Sequence, residues 1–163
     1  LQSKQELEHW YQNPDPWAYK TNPDDLKRKA EIIMTLNDIN NFQEYNKAVD
    51  IGCGEAFVTT SLPAKLIHGI EISDKAAERF PSNVIRVLQP EGKYDLVMTT
   101  GTLYQQYDHR QIKDWMISCA SKHILVAGIK DWLIHYDFGK VILEKEFQYR
   151  QYTQRLVIYE VGA

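Results

Sequence analysis

Cysteine is scarce. The 163 residues hold two, Cys53 and Cys119, far apart and outside any C-x-x-C motif, which excludes a disulfide framework or a local zinc cluster and points to a reducing compartment. There is no basic excess either: 19 Lys and Arg against 22 Asp and Glu leave a net charge of -3, so the chain lacks the electrostatic footprint of a nucleic-acid binder. No apolar run approaches the roughly 20 residues of a membrane helix, and no signal-peptide pattern opens the chain. A soluble, cytoplasmic protein with neither membrane nor nucleic acid as partner is expected. An initiator methionine is missing too; the sequence opens at Leu1, which fits a domain cut from a longer polypeptide. Repeats, low-complexity tracts and linkers are absent. What is present, 44% hydrophobic and 12% aromatic residues, suffices for one three-layer core: a single domain over 1–163, with a helical leader and lid at 1–46 and the core at 47–163.

In the leader, Leu7, Trp10 and Tyr11 stand at helical spacing until the two prolines of "NPDPW" forbid continuation. Asn22 as N-cap, Pro23 at the first helical position and Asp24 and Asp25 in the first turn predict a helix from Pro23 to about Leu36. Its apolar face reads as Leu26, Ala30, Ile33 and Leu36 or Asn37, with "DLKRK" as a solvated face. From Lys47 onward, short apolar runs without strict alternation ("AVDI", "LIHGIEI", "VIRV", "YDLVMTT", "HILVAGI") suit strands covered on both faces. Helices are expected at Ala56–Leu62, Ser73–Phe80 and Arg110–Ala120, while "LQPEGK" is too short to hold one. The order predicts an α/β open sheet, mostly parallel, with helices on both faces. "KVILEKEFQYR" and "RLVIYEVG", joined by "QYTQ", then predict a C-terminal antiparallel hairpin. His9, His68 and His123 read as surface or strand-flanking residues.

The glycine turn in "AVDIGCGEAF" follows the first of these strands, where open α/β sheets bind ligands. A dinucleotide fingerprint would need glycine at position 57, where Phe57 stands. "VDIGCGEAF" instead resembles motif I of the class I S-adenosylmethionine-dependent methyltransferases. The resemblance extends from Lys47 to Gly162 and implies their Rossmann-like fold and their cofactor, S-adenosylmethionine. It implies that Asp50 lies near the amino acid end of that cofactor. Gly52 and Gly54 then let the backbone pass beneath it, Glu71 takes the ribose hydroxyls, Ile72 flanks the adenine and Thr100 lies alongside. The absent helix before "YDLV" removes an acidic residue that often contacts adenine.

The leader "WYQNPDPWAYKTNPDDLKRKAEIIMTL" resembles that of the subgroup including the nodulation N-methyltransferases, which act on chitooligosaccharides, and related enzymes acting on sugars. It implies that Trp17 and Tyr19 form part of a lid; the alternative is that Trp10, Tyr11 and Trp17 cap an exposed edge of the core. The expected function is O-methylation of a sugar or glycan hydroxyl; N-methylation of an amino sugar or small amine, and a SAM-binding interaction module without catalysis, are the alternatives. A glycosyltransferase domain in the same polypeptide would be a natural neighbour. A hydroxyl is a poor nucleophile and benefits from a general base. His109, beside Asp108, leads because an imidazole ordinarily titrates near neutrality; Asp131 and His135 follow, and Asp108 could simply cap a helix. Tyr104 and Tyr107 are expected to shape the acceptor site. No metal site is expected.

Overall fold

The computed structural model describes residues 2–162. Helix α1 (Lys4–Trp10) is capped by Ser3, whose hydroxyl accepts from the Glu6 amide. Helix α2 (Pro23–Ile39) starts as the sequence dictates, with Asn22 accepting from the Asp24 amide and proline in the first turn. The core then runs β1 (Tyr45–Ile51), β2 (Ala64–Ile70), α3 (Asp74–Glu78), β3 (Val84–Arg86), β4 (Tyr94–Thr100), α4 (His109–Cys119), β5 (Ala120–Ile129), β6 (Lys140–Tyr149) and β7 (Tyr152–Glu160). These seven strands form one sheet in the order β3-β2-β1-β4-β5-β7-β6. The first five are parallel, while β7 is antiparallel to both β5 and β6. The order reverses beside β1, so the carboxyl ends of β1 and β4 open a crevice there.

Alternation along each strand builds two cores. Ala48, Leu96, Met98 and Leu125 pack on one face with Ile32 and Leu36 of α2, and Val49, Val97, Ile124 and Val126 pack on the other with Met116 and Cys119 of α4.

Four expectations change. First, Ala56–Leu62 is not an α-helix: residues 54–58 are turns and only Thr59–Ser61 forms a 3₁₀ turn. Ala56 sits in the left-handed region at φ +67°, the β-branched Val58, Thr59 and Thr60 disfavour helix, and Pro63 follows. Second, "QYTQ" is not the hairpin loop. Tyr149 pairs with Tyr152, leaving a two-residue turn in which Arg150 takes φ +51°. Third, the buried face of α2 is Asp25, Arg28, Ile32, Thr35 and Leu36, and Leu26 is exposed. Fourth, His68 and His123 are buried, each Nδ1 hydrogen-bonded to a tyrosine hydroxyl, Tyr94 at 2.8 Å and Tyr45 at 2.7 Å. Burial pushes both imidazoles below their usual range. Among the described residues, no helix is long and apolar enough to cross a membrane.

Candidate functional site

At the switch in strand order lies a cleft of about 760 Å³, floored by the turn after β1. Gly52 and Gly54 have φ of +74° and +59°. A β-carbon on Gly52 would stand 2.5 Å from Thr102 Cγ2, and one on Gly54 would stand 2.8 Å from the Tyr11 hydroxyl. Both positions therefore require glycine on conformational and steric grounds.

Asp50, the penultimate residue of β1, is 2% exposed. Its Oδ2 accepts from the Thr59 hydroxyl at 2.7 Å, while Oδ1 is buried without a hydrogen-bond partner among the described residues. Burial raises its pKa to about 7. Such an oxygen is costly unless a donor meets it, and a ligand ammonium would do so. Glu71, at the end of β2, accepts from the Gly54 amide on Oε1 at 2.8 Å and from the Ser73 amide on Oε2 at 2.9 Å. Burial raises its pKa, against the lowering effect of those amides. Each oxygen keeps a lone-pair direction for a further donor. Cys53, between the glycines, is held as a thiol, its pKa raised by burial.

A strap from the leader roofs the cleft. Trp17 stacks between Trp10 and Tyr19, with centroids 5.8 and 6.0 Å away, and Tyr19 continues to Phe57 at 5.7 Å. Ties to the core hold it: Arg79 donates to the Tyr11 carbonyl at 2.7 Å and Glu55 accepts from the Asp15 amide at 2.8 Å. Beneath it Arg28 lines the cleft from α2, 7% exposed, its guanidinium 5.1 Å from the Tyr19 ring centre and on its other side bonded to the fully buried Asp25. Asp25 also accepts from the Tyr149 hydroxyl at 2.7 Å and pairs with Arg150.

The far wall is aromatic and neutral. Tyr104, Tyr107, Trp132 and Tyr152 form a continuous series of ring contacts. The Tyr104 oxygen accepts from the Ile129 amide at 2.7 Å, which leaves its proton to point elsewhere, and burial pushes its pKa up to about 12. It is a fixed O–H donor. Gln154, 3% exposed and paired in register with Ile129, adds a carboxamide.

No family model and no curated protein matches the sequence. Solved structures do match the architecture. The N-methyltransferase NodS from Bradyrhizobium japonicum, in complex with S-adenosyl-L-homocysteine, superposes with a TM-score of 0.82 at 16% identity over 100% of both chains. The magnesium protoporphyrin IX methyltransferase ChlM from Synechocystis, with bound SAM, gives 0.69 at 15% identity over 99% of this chain and 98% of that one. A putative RNA methyltransferase from Pyrococcus horikoshii gives 0.68 at 11% identity over 98% of each. This chain has the class I methyltransferase fold.

Within this methyltransferase fold, Trp17, Tyr19, Asp50, Gly52, Gly54, Glu71, Ile72, Thr100, Tyr104 and Tyr107 all line the cleft. The three candidate bases do not. His109 turns from it to bond Tyr136 through Nδ1 at 2.6 Å, His135 is exposed against Arg155, and Asp131 lines a separate hollow. Asp108 both caps α4, accepting from the Gln111 amide at 3.3 Å, and lines the cleft. Of the lining residues that the sequence reading did not assign, Arg28, Leu88 and Gln154 bear on the site. Arg28 was hidden in a charge run, though Asp25, Arg28, Ile32 and Leu36 are spaced as helically as the apolar set. Leu88, 78% exposed, lines the cleft from the short link after β3. Gln154 carried no local signal. No group of three or more His, Cys, Asp or Glu among the described residues could hold a metal ion.

Proposed function

We propose that this protein is an S-adenosylmethionine-dependent methyltransferase acting on a sugar or glycan hydroxyl. The observation that carries the cofactor is the unpartnered Asp50 Oδ1, buried at the glycine turn in one cleft with Glu71 and Arg28. These groups fit the two ends of that cofactor: Asp50 takes the ammonium, Arg28 the carboxylate and Glu71 the ribose diol. Ile72 and Leu88, both exposed apolar side chains on the cleft, flank the adenine. Bound there, S-adenosylmethionine supplies a methyl carbon activated by its sulfonium.

The chain's own residues then align, dry and deprotonate. Tyr104 donates its fixed O–H and Gln154 its amide to neighbouring oxygens of the acceptor, so that the attacking hydroxyl is held in line with its lone pair free. The Trp10–Trp17–Tyr19 stack excludes water. Asp108 receives the released proton. A neutral wall of tyrosine, tryptophan and glutamine suits a hydroxylated acceptor, because aromatic faces take C–H surfaces and amides take hydroxyls. N-methylation of an amino sugar is the second reading, favoured by the likeness to NodS, an N-methyltransferase.

Calorimetry with S-adenosylhomocysteine and with methylthioadenosine, which lacks the amino acid end, tests the cofactor. Arg28→Gln should weaken the first about ten- to a hundredfold and leave the second unchanged, the loss expected for a hydrogen bond to a charged group. No heat with either compound would refute the assignment. Methyl transfer from labelled S-adenosylmethionine to neutral sugars against amino sugars separates the two acceptors, and binding without any transfer would mark an inactive module.

A further inference from the structure

Arg28 is nearly enclosed, yet it lines the cleft. Its guanidinium lies over two rings, 5.1 Å from the centre of Tyr19 and 5.9 Å from that of Tyr149. Among the described residues only Nε has a hydrogen-bond partner, Oδ1 of Asp25 at 3.4 Å, three residues earlier on α2. The two Nη atoms keep all their N–H donors for a ligand. An arginine left to itself samples many rotamers, and its planar fork recognises a carboxylate only when it is aimed.

Asp25 supplies the aim. It is fully buried and is not part of the cleft lining. Its own place is fixed from the far side of the sheet: Tyr149 donates to Oδ1 at 2.7 Å and Arg150 donates to Oδ2. Oδ1 thus serves Tyr149 and Arg28 together, so the hydroxyl at the end of β6 sets where the carboxylate sits, and the carboxylate sets where the guanidinium points. Packing alone would be served as well by an apolar residue, which needs no such partners. The charge of Asp25 opposes a second carboxylate on the same guanidinium, but Arg150 shares that charge; what Asp25 adds is direction.

We propose that Asp25 is a positioning residue for the amino acid end of the cofactor: it pins Nε of Arg28 so that the two Nη atoms face the cofactor carboxylate as a fork. It touches neither cofactor nor acceptor. The inference rests on the cofactor reading above. With the amino acid end held by Asp50 and an aimed Arg28 together, the sulfonium cannot slide along the cleft, and the methyl carbon stays in line with the attacking oxygen.

Calorimetry on the whole chain with S-adenosylhomocysteine and methylthioadenosine tests this. Asp25→Asn keeps the shape of the side chain and removes its charge; it should weaken S-adenosylhomocysteine about tenfold and leave methylthioadenosine unchanged. In an Arg28→Gln background the same change should cost no further affinity, since the two residues act as one. Where Asp25→Asn folds poorly, Tyr149→Phe, which takes one hydroxyl from Asp25, should give a loss of about threefold confined to S-adenosylhomocysteine. Equal losses on both compounds, additive losses in the double variant, or unchanged or tighter S-adenosylhomocysteine would overturn the positioning role and leave the cofactor reading standing. An Arg28→Gln variant that does not discriminate between the two compounds, or no binding of either, would overturn both.

Discussion

At the scale of single residues, the proposed contact of Asp50 with the cofactor ammonium makes binding answer to pH. Its pKa in the folded chain is about 7, raised by burial from an ordinary 3.8. A raised carboxyl pKa means that the folded state holds the proton more tightly than the unfolded one. This contribution to stability is complete below about pH 4 and is lost as pH rises through 7. A bound ammonium reverses the preference by favouring the carboxylate. Affinity for S-adenosylhomocysteine should therefore fall as pH drops from 8 to 6, while the unliganded protein gains stability over the same interval. Asp50→Asn should abolish both trends and weaken binding at pH 8 by about tenfold or more; calorimetry and thermal melts at the two pH values check this. Asp108 and His109 form a second residue-level contrast. Asparagine caps helices as well as aspartate, so Asp108→Asn should keep the melting temperature and lower kcat by about a hundredfold, whereas His109→Ala should retain near-normal turnover.

At the scale of elements, aromatic contacts give the strap 2–22 its internal shape, while Tyr19 on Phe57 and the Arg79 and Glu55 hydrogen bonds tie it to the core. Its Lys4–Asp74 ion pair joins side chains about half exposed on each partner, and pairs of that kind contribute little. Stacked rings contribute about 0.5–1.5 kcal/mol each beyond the area they bury. Trp17→Ala removes contacts to Trp10, Tyr11 and Tyr19 together. It should weaken S-adenosylhomocysteine binding by about tenfold while moving the melting temperature by only a few degrees; an unchanged dissociation constant would reduce the strap to packing. The elements of the core were legible because two-sided burial leaves continuous apolar runs, as in "YDLVMTT" and "HILVAGI", and α2 was legible because Asn22-Pro23 is a helix start in plain sight. The segment after the glycines was not, since φ at Ala56 depends on how the turn closes over Thr59. The buried side of α2 was not legible either: two equally periodic faces competed, and the charged one lies inside because its partners come from β6 and the turn after it.

At the scale of the whole molecule, that partnership joins distant parts of the chain. Arg150 donates to the Trp17 carbonyl at 2.9 Å, pairs with Asp25 and offers its amide to Asp24 at 2.9 Å. Asp25 is fully buried, and removing a partner from a buried charge is destabilising by several kcal/mol. Arg28 and Tyr149 remain to share the load, so Arg150→Ala should cost about 1–3 kcal/mol in urea unfolding and also loosen the strap, seen as faster amide exchange at residues 15–20. Windowed patterns cannot register such pairings, and the same holds for Gln154, which reaches the cleft only because β7 turns back along β5. Asp50, Gly52, Gly54, Glu71, Ile72 and Thr100 lie at or just after strand ends, so their place along the cleft followed from the strand pattern; the bases proposed from "DHR" and "KDWLIH" depended on which way a loop turns.

The Arg150 turn carries a temporal consequence. Trp17 and Asp25 emerge early from a ribosome, yet their anchor is synthesised more than a hundred residues afterwards. The parallel strands can pair while the roof still lacks its clasp. A nascent chain halted before Tyr149 would thus hold its roof through Arg79 and Glu55 without Arg150, and the roof would be fully fastened only with the last stretch of translation.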